Sequence, residues 1–551
     1  MLTPFGRVVV GLVVLIVSGV TFLIVKDDKA GAPERAVADR TFDTNDPIER
    51  ACDLAPRELA RLWRGHDDIH SEDVTIVPLP PNYSGSFGTT SHSGPWDYVQ
   101  TIPLVLYGPG NIKAAGRLEE PASIADVYPT AGRLTGVDLP PRSGRVLADA
   151  LEADASPKVI VTVVWDGVGR NVLERWPGRW PNLERLEAEG TSYLGAVVGS
   201  SPSITPATHS TLGTGAYPRR HGVTAIEMRM ADGRVGGAFG GRDPAGLRLT
   251  TFGDEIDLAL GNAPLVGMLA WKSWHIGMLG HGAQTPGGDA DQLGLIGHGI
   301  TGNDTFYSTP AEIAGFRGIG SYLRELDRAD GEADGEWRGH DVKELHDNPA
   351  WVSYQTDALI TMLDGEGYGA DDVPDLLFTN YKPSDIVAHQ YNMDSPEMGD
   401  LLAAQDAALG ELIDHLDAEV EDYVVVVTAD HGNTPPASRS DAWPVLQGQL
   451  QEDIDARFDV PKDASLVVQT TAAGPFLDRK TMKELDVTAE DVARFLNGYT
   501  IRDNWGEENL PEGYGSRGDE NILAAAFPSD RIDTVMRCAF DAPKPPEEAG
   551  I

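Results

Sequence analysis

Three acidic side chains of this chain stand where an apolar run gives way to a loop, and two of them have a histidine close by. KVIVTVVWDG leads to Asp166, DLLFTNYKPSD to Asp385, and YVVVVTADHG to Asp430 with His431 beside it. A single Asp at a strand end most often caps the next helix. Three such ends with histidines at set offsets read instead as a ligand set. His389 follows Asp385 by four residues, so on a helical turn both side chains project from one face, as ligands of one ion must. Carboxylate oxygen mixed with imidazole nitrogen suits zinc or manganese. A fourth segment, SPSITPATHSTLGTGAYPRRHGV, is rich in hydroxyls. A hydroxyl bound to a metal loses its proton near neutral pH and becomes a nucleophile. Composition alone equally allows an ordinary Ser/Thr-rich loop there.

These groups need a scaffold that brings strand ends together. Helical patterns such as NLERLEAEG and LLAAQDAALGELIDHLDAEV separate the apolar runs. Strand–helix alternation with continuous apolar strands predicts an α/β sandwich: a mostly parallel central sheet with helices on both faces. Ligands of such sheets bind beyond the carboxyl ends of the strands, where the acids lie. IPLVLYGPG reads as another buried strand, and SIADVYPTAGRLTG as a helix stopping at Gly136. Residues 224–375 show little strand alternation and are expected to form a cap insertion. Within them, Lys272, His275, His281, Asp289 and His298 read equally as contacts to a charged substrate or extra metal and as surface or packing residues. Residues 29–50 read as a polar tether, and 51–64, with Leu54, Leu59, Leu62 and Trp63, as a surface helix.

The 551 residues carry 85 acidic against 44 basic side chains, a formal net charge of -41. Phosphate polymers would be repelled, so no nucleic acid partner is expected; most of the acidity reads as solvated surface. Val8 to Val25 is free of charge and long enough, at ~27 Å, to cross a bilayer core as a helix. An uncleaved single-pass anchor is favoured over a signal peptide, because no small-residue cleavage site is clear. Arg7 before it and acids after it keep the N-terminus inside and everything after about residue 30 outside the cell membrane. In that compartment the two cysteines, Cys52 and Cys538, are expected to form a disulfide.

The chain resembles the alkaline phosphatase superfamily and, within it, the type I phosphodiesterase/nucleotide pyrophosphatase branch. The matching residues are the Asp166 strand end, Thr205, His209, Thr214-Gly215, Tyr217-Pro218, His221-Gly222, the Asp385/His389 pair and Asp430-His431-Gly432. The resemblance implies an alkaline-phosphatase-like sandwich and two divalent ions, zinc or manganese. One ion would be held by Asp166, Thr205, Asp430 and His431, the other by Asp385, His389 and a further histidine. It also implies Thr205 as nucleophile on phosphate esters through a phospho-threonine intermediate, with phosphodiester or nucleotide pyrophosphate bonds cleaved in preference to monoesters. His209 and His221 match positions that look structural. Where the branch often has Asn three residues after the nucleophile, this chain has Thr208, which can donate only one hydrogen bond.

No histidine follows His431 in the sequence. The segment 91–110, SHSGPWDYVQTIPLVLYGPG, looks like the piece that normally comes last, which makes His92 the missing ligand and the domain circularly permuted. The expected organisation is an anchor at 1–28, tether and surface helix at 29–75, and the permuted piece at 76–150. The catalytic core follows at 151–432 with its insertion, then a C-terminal region at 433–551 packed on the core. Thr208, Lys272 and His281 are the expected substrate contacts. The substrate would be a small-molecule or envelope phosphate ester. The alternatives are a phosphomonoesterase or phosphoryl transferase acting on envelope head groups, and a catalytically silent binding protein.

Overall fold

Each apolar run that leads to an acid is a strand buried along its whole length, as a strand covered on both faces must be. The computed structural model describes residues 44–85, 90–298, 305–343, 347–510 and 515–539. The anchor expected at 1–28 lies outside the described residues. Among the described residues, no helix is long and apolar enough to cross a membrane.

The strands used below are β1 (Val74–Pro78), β2 (Leu104–Tyr107), β3 (Gly116–Ser123), β4 (Val159–Trp165), β5 (Thr191–Val197) and β6 (Val266–Ala270). They continue with β7 (Asp291–Leu295), β8 (Tyr307–Ser308), β9 (Asp375–Tyr381), β10 (Tyr423–Thr428) and β11 (Leu523–Pro528). The helices are α1 (Pro56–Gly65), α2 (Val127–Thr135), α3 (Thr205–Thr214), α4 (Phe252–Ala259), α5 (Pro349–Glu366), α6 (Pro383–Tyr391) and α7 (Pro396–Glu419).

Nine strands form the central sheet in the order β8-β7-β6-β9-β4-β10-β2-β5-β3. Every pairing is parallel except those of β2, which runs against β10 and β5. One face of the sheet packs under α5 and α7, and the other under α2, α3 and α4. The strands before Asp166, Asp385 and Asp430 are adjacent at the centre, β9 beside β4 beside β10. Their carboxyl ends therefore lie side by side.

Three expectations change. The stretch 224–375 does not stand apart as a cap: β6, β7 and β8 come from it and extend the central sheet past β9. The short run VGMLA is fully buried, but five residues are too few for periodicity to reveal a strand. Helix α1 is not a surface helix: Leu59, Ala60 and Leu62 pack with Val535 and Met536 near the other chain end, and the charged Glu58, Arg61 and Arg64 are buried as well. Nor does the stretch expected as tether and surface helix, 29–75, stay apart from the body: β1, which begins at Val74, is fully buried and pairs antiparallel with β11. Arg50, on the same stretch, is buried and donates to the carbonyls of Ala524, Asn497 and Leu523. Cys52 and Cys538 are disulfide-bonded beside it, with Cα atoms 5.3 Å apart. Gly136 ends α2 in the left-handed conformation, as a C-cap requires.

Candidate active site

Strand β4 ends at Asp166, and the chain must turn away at once. Gly167, at φ +75°, makes that turn, and a Cβ on it would lie 3.3 Å from the Asp385 Cα. The turn brings the β4 end against the first turn of α6, where Asp385 sits. The Gly167 N–H donates to Asp430 Oδ1 at 3.0 Å, which joins the third acid to the other two.

Two clusters result. Asp166, Asp430 and His431 bring donor atoms within 4.8 Å of one another, and so do His92, Asp385 and His431. His389 joins the second, with Nε2 3.4 Å from Asp385 Oδ1, while His92 Nε2 is 3.8 Å from the same oxygen. The His92 and His431 rings stack at 3.5 Å between centroids.

The three histidines share one arrangement. Nδ1 of His92 contacts the Ser203 carbonyl at 2.6 Å, that of His389 the Thr90 carbonyl at 2.7 Å, and that of His431 the Gly432 carbonyl at 3.0 Å. A carbonyl only accepts, so each Nδ1 carries the proton and each Nε2 presents a lone pair toward the acids. This is how imidazoles are oriented at metal sites. Asp385 Oδ1, Asp430 Oδ2 and His431 Nε2 are buried without a hydrogen-bond partner among the described residues. Buried acceptors left unsatisfied are costly, and several converging ones fit divalent cations. The donor set, oxygen and imidazole nitrogen, fits zinc or manganese.

Thr205 is the first residue of α3 and is buried at the same place, with the positive end of the helix dipole behind it. Its Oγ1 accepts from Lys382 Nζ at 3.1 Å. The same ammonium lies 3.0 Å from Asp166 Oδ1 and 2.6 Å from Asp385 Oδ2. Burial works against the charge on Lys382, but Asp166, Asp385 and Asp430 outweigh it and hold the ammonium above the usual lysine value. Burial and repulsion from Asp430 push the Asp166 carboxyl up to about 6. Burial also raises Asp385, yet Lys382 and His389 more than offset it, so that carboxyl stays well below the usual range.

Lys382 and Asn380 escaped the sequence reading. Asn380, near the end of β9, donates to Asp166 Oδ2 at 3.0 Å and contacts His209 Nε2 at 2.9 Å. With its Nδ1 on the Thr205 carbonyl at 2.8 Å, His209 has both ring nitrogens engaged and positions α3. The only local signal for Lys382 is its place three residues before Asp385, which puts both on one face of a helical turn.

The substrate contacts divide. Thr208 turns its hydroxyl back to the carbonyls of Ile204 and Thr205 and is fully buried, so it does not present a donor to the site. His281 is engaged elsewhere, on Asp254 and the Leu247 carbonyl. Lys272 does reach the site's rim: its Nζ lies 4.4 Å from the Trp274 ring centroid, and Lys382 Nζ lies 5.7 Å from that same ring. Burial and repulsion from Lys382 lower its pKa. His275 is fully buried against His209. The side chain of His298 lies outside the described residues.

The family model for type I phosphodiesterase / nucleotide pyrophosphatase matches residues 160–509. Over 415 residues the chain is 22% identical to alkaline phosphatase PafA of Elizabethkingia meningoseptica, covering 64% of this chain and 75% of that protein. Over 330 residues it is 23% identical to alkaline phosphatase PhoD of Zymomonas mobilis, covering 51% of this chain and 54%, about half, of that one. The crystal structure of wild-type PafA superposes with a TM-score of 0.49 at 16% identity, over 71% of this chain and 85% of that one. For murine ectonucleotide pyrophosphatase/phosphodiesterase 5 with AMP the values are 0.33 and 15%, over 67% and 77%.

Proposed function

Because the chain belongs to the type I phosphodiesterase/nucleotide pyrophosphatase family, and is thus a phosphate-ester hydrolase of the alkaline phosphatase superfamily, we propose that it works with two divalent ions and Thr205 as nucleophile. One observation carries this reading: Lys382 ties the Thr205 hydroxyl to Asp166 of one acid–imidazole cluster and to Asp385 of the other. Asp166, Asp430 and His431 would hold one ion with Thr205, and Asp385, His389 and His92 the other. Such ions, zinc for preference, supply Lewis acidity that favours an ionised hydroxyl and neutralises charge on phosphoryl oxygens.

The rest of the chemistry falls to the chain. Thr205 gives its hydroxyl proton to solvent, and Oγ1 forms a bond to phosphorus as the bond from phosphorus to the leaving oxygen breaks. The leaving oxygen takes a proton from solvent and departs as the alcohol. Water then attacks the phospho-threonine, inorganic phosphate or a phosphomonoester leaves, and the hydroxyl is regenerated. Lys382 Nζ, 3.1 Å from Oγ1, stabilises that oxygen while it is anionic. His92, 2.6 Å from the Ser203 carbonyl through Nδ1, also fixes the loop that leads into α3. Replacing His92 with alanine should weaken ion binding at the Asp385 cluster by roughly 100-fold or more. The Asp166 cluster should keep its ion. Metal content after dialysis against a weak chelator reads this directly, and two fully retained ions would remove His92 from the ligand set.

On substrate, the family favours a diester, but Lys272 favours a terminal monoester: a dianionic phosphoryl group gains most from an additional cation at the rim. We take the monoester as the preferred form. Lys272→Ala should then lower kcat/KM for an aryl phosphate monoester by about tenfold or more, and for the matching diester by much less. Zinc-reloaded full-length protein assayed on both esters makes the test. Equal losses would leave Lys272 a packing residue, and faster diester turnover by the wild type would restore the diester reading. No phosphate release from either ester after zinc or manganese loading would sink the hydrolase mechanism itself.

The Cys52–Cys538 disulfide supports an extracytoplasmic setting, and the apolar run Val8 to Val25 supports a membrane anchor. The family match begins at residue 160, whereas β2 and His92 precede it. The place of β2 inside the central sheet and of His92 beside Asp385 is what supports reading 76–150 as a permuted piece of the catalytic domain.

A further inference from the structure

The residues of 286–291 lie at the sheet edge opposite the catalytic centre. Asp166 follows the carboxyl end of β4, while Asp291 opens β7 at its amino end, and β7, β6, β9 and β4 are mutually parallel. At ~3.3 Å per residue the two ends of such a strand are more than 10 Å apart.

At that edge Asp257, from α4, meets Asp289 and Asp291, with carboxylate oxygens all within 4.8 Å of one another. Asp257 and Asp291 are buried, with 4% and 7% of their surface exposed, while Asp289 opens the cluster to solvent. Among the described residues no ion pair reaches any of the three. Asp257 Oδ1 is buried without a hydrogen-bond partner, and the groups it faces are Asp289 and Asp254. Nearby, His281 is committed to Asp254: its Nδ1 and N–H both contact that carboxylate, at 2.8 and 2.7 Å. Asp254 also accepts from the Thr251 N–H, at 2.8 Å, as part of the α4 capping box. Its charge is thus met locally, and the other three are not.

Three carboxyls this close, two of them buried, cannot all ionise unless a cation joins them. Burial and mutual repulsion push the Asp257 carboxyl up to about 7 and that of Asp291 well above the carboxylate range. The donors are oxygen only, with no imidazole or thiolate free to take part. That selects a hard ion of adaptable coordination, with waters completing the shell on the Asp289 side. We propose that Asp257, Asp289 and Asp291 form a calcium site, separate from the catalytic centre, that clamps α4 and the 286–291 loop to the edge of the sheet.

Calcium chloride added to the zinc-loaded full-length protein tests this, with melting temperature and bound calcium as readouts. The wild type is expected to bind one additional calcium per chain and to melt several degrees higher at millimolar calcium, while phosphatase turnover stays unchanged. Asp291→Asn and Asp289→Asn should each raise the calcium Kd at least tenfold and abolish the shift. A second variant guards against misfolding: Asp257→Asn replaces a buried carboxyl that is costly to ionise with a neutral amide of the same shape, so in calcium-free buffer it should melt no lower than the wild type, yet gain nothing from calcium. The proposal is overturned if wild-type protein neither binds nor is stabilised by calcium. It is equally overturned if the Asn variants keep the wild-type shift.

Discussion

Thr205→Ala is expected to lower kcat/KM for phosphate esters by about 10⁴-fold or more, the scale on which removal of a nucleophile acts. Folding and metal content should change little. The substitution deletes one hydroxyl and one methyl group, and Lys382 keeps its contacts to Asp166 and Asp385. The remaining donors at the two clusters are untouched, so bound zinc should fall only slightly. A melting curve, a metal determination and a turnover assay on the same preparation separate these effects. If more than a few per cent of activity survives, Thr205 is not the nucleophile. Ser203 becomes the next candidate: it is buried two residues away and donates to the His92 carbonyl at 3.2 Å.

A chain beginning at residue 151 is expected to yield no cooperatively folding protein. It would lose β2, which lies inside the sheet between β10 and β5 and is buried along all four of its residues. Burial of each such side chain contributes ~1.5–3 kcal/mol, and α2, which packs on the same face, would go too. The combined loss matches or exceeds the ~5–15 kcal/mol by which a whole domain is stable. It would also expose the β10 and β5 ladders as unpaired edges, an invitation to aggregation. The truncation removes Cys52 as well, so Cys52→Ser in the full chain is the control; it should still fold. A truncated protein with a sharp melting transition and bound zinc would show that the first 150 residues are an accessory and not part of the core.

Much of the candidate site was legible in the sequence alone. The strands before Asp166, Asp385 and Asp430 are buried on both faces, so they had to be continuous apolar runs, and the acids mark where burial ends. Asp385 and His389 share a face because helical geometry is local, and Gly136 ends α2 for a reason confined to its own backbone. The sequence by itself determined these features because each depends on residues within a turn or a strand of one another. Other features depend on which distant segments meet, and no local pattern encodes that. Lys382 reads as an ordinary lysine until β4 and α3 place Asp166 and Thr205 beside it. Thr208 matched the expected donor position but turned to its own helix backbone, the nearer acceptor. The short strands β6 and β7 became parts of the main sheet only because the edge of β9 was there to pair with. Asp257 and Asp291, more than thirty residues apart in the chain, form one charge cluster only through that added edge.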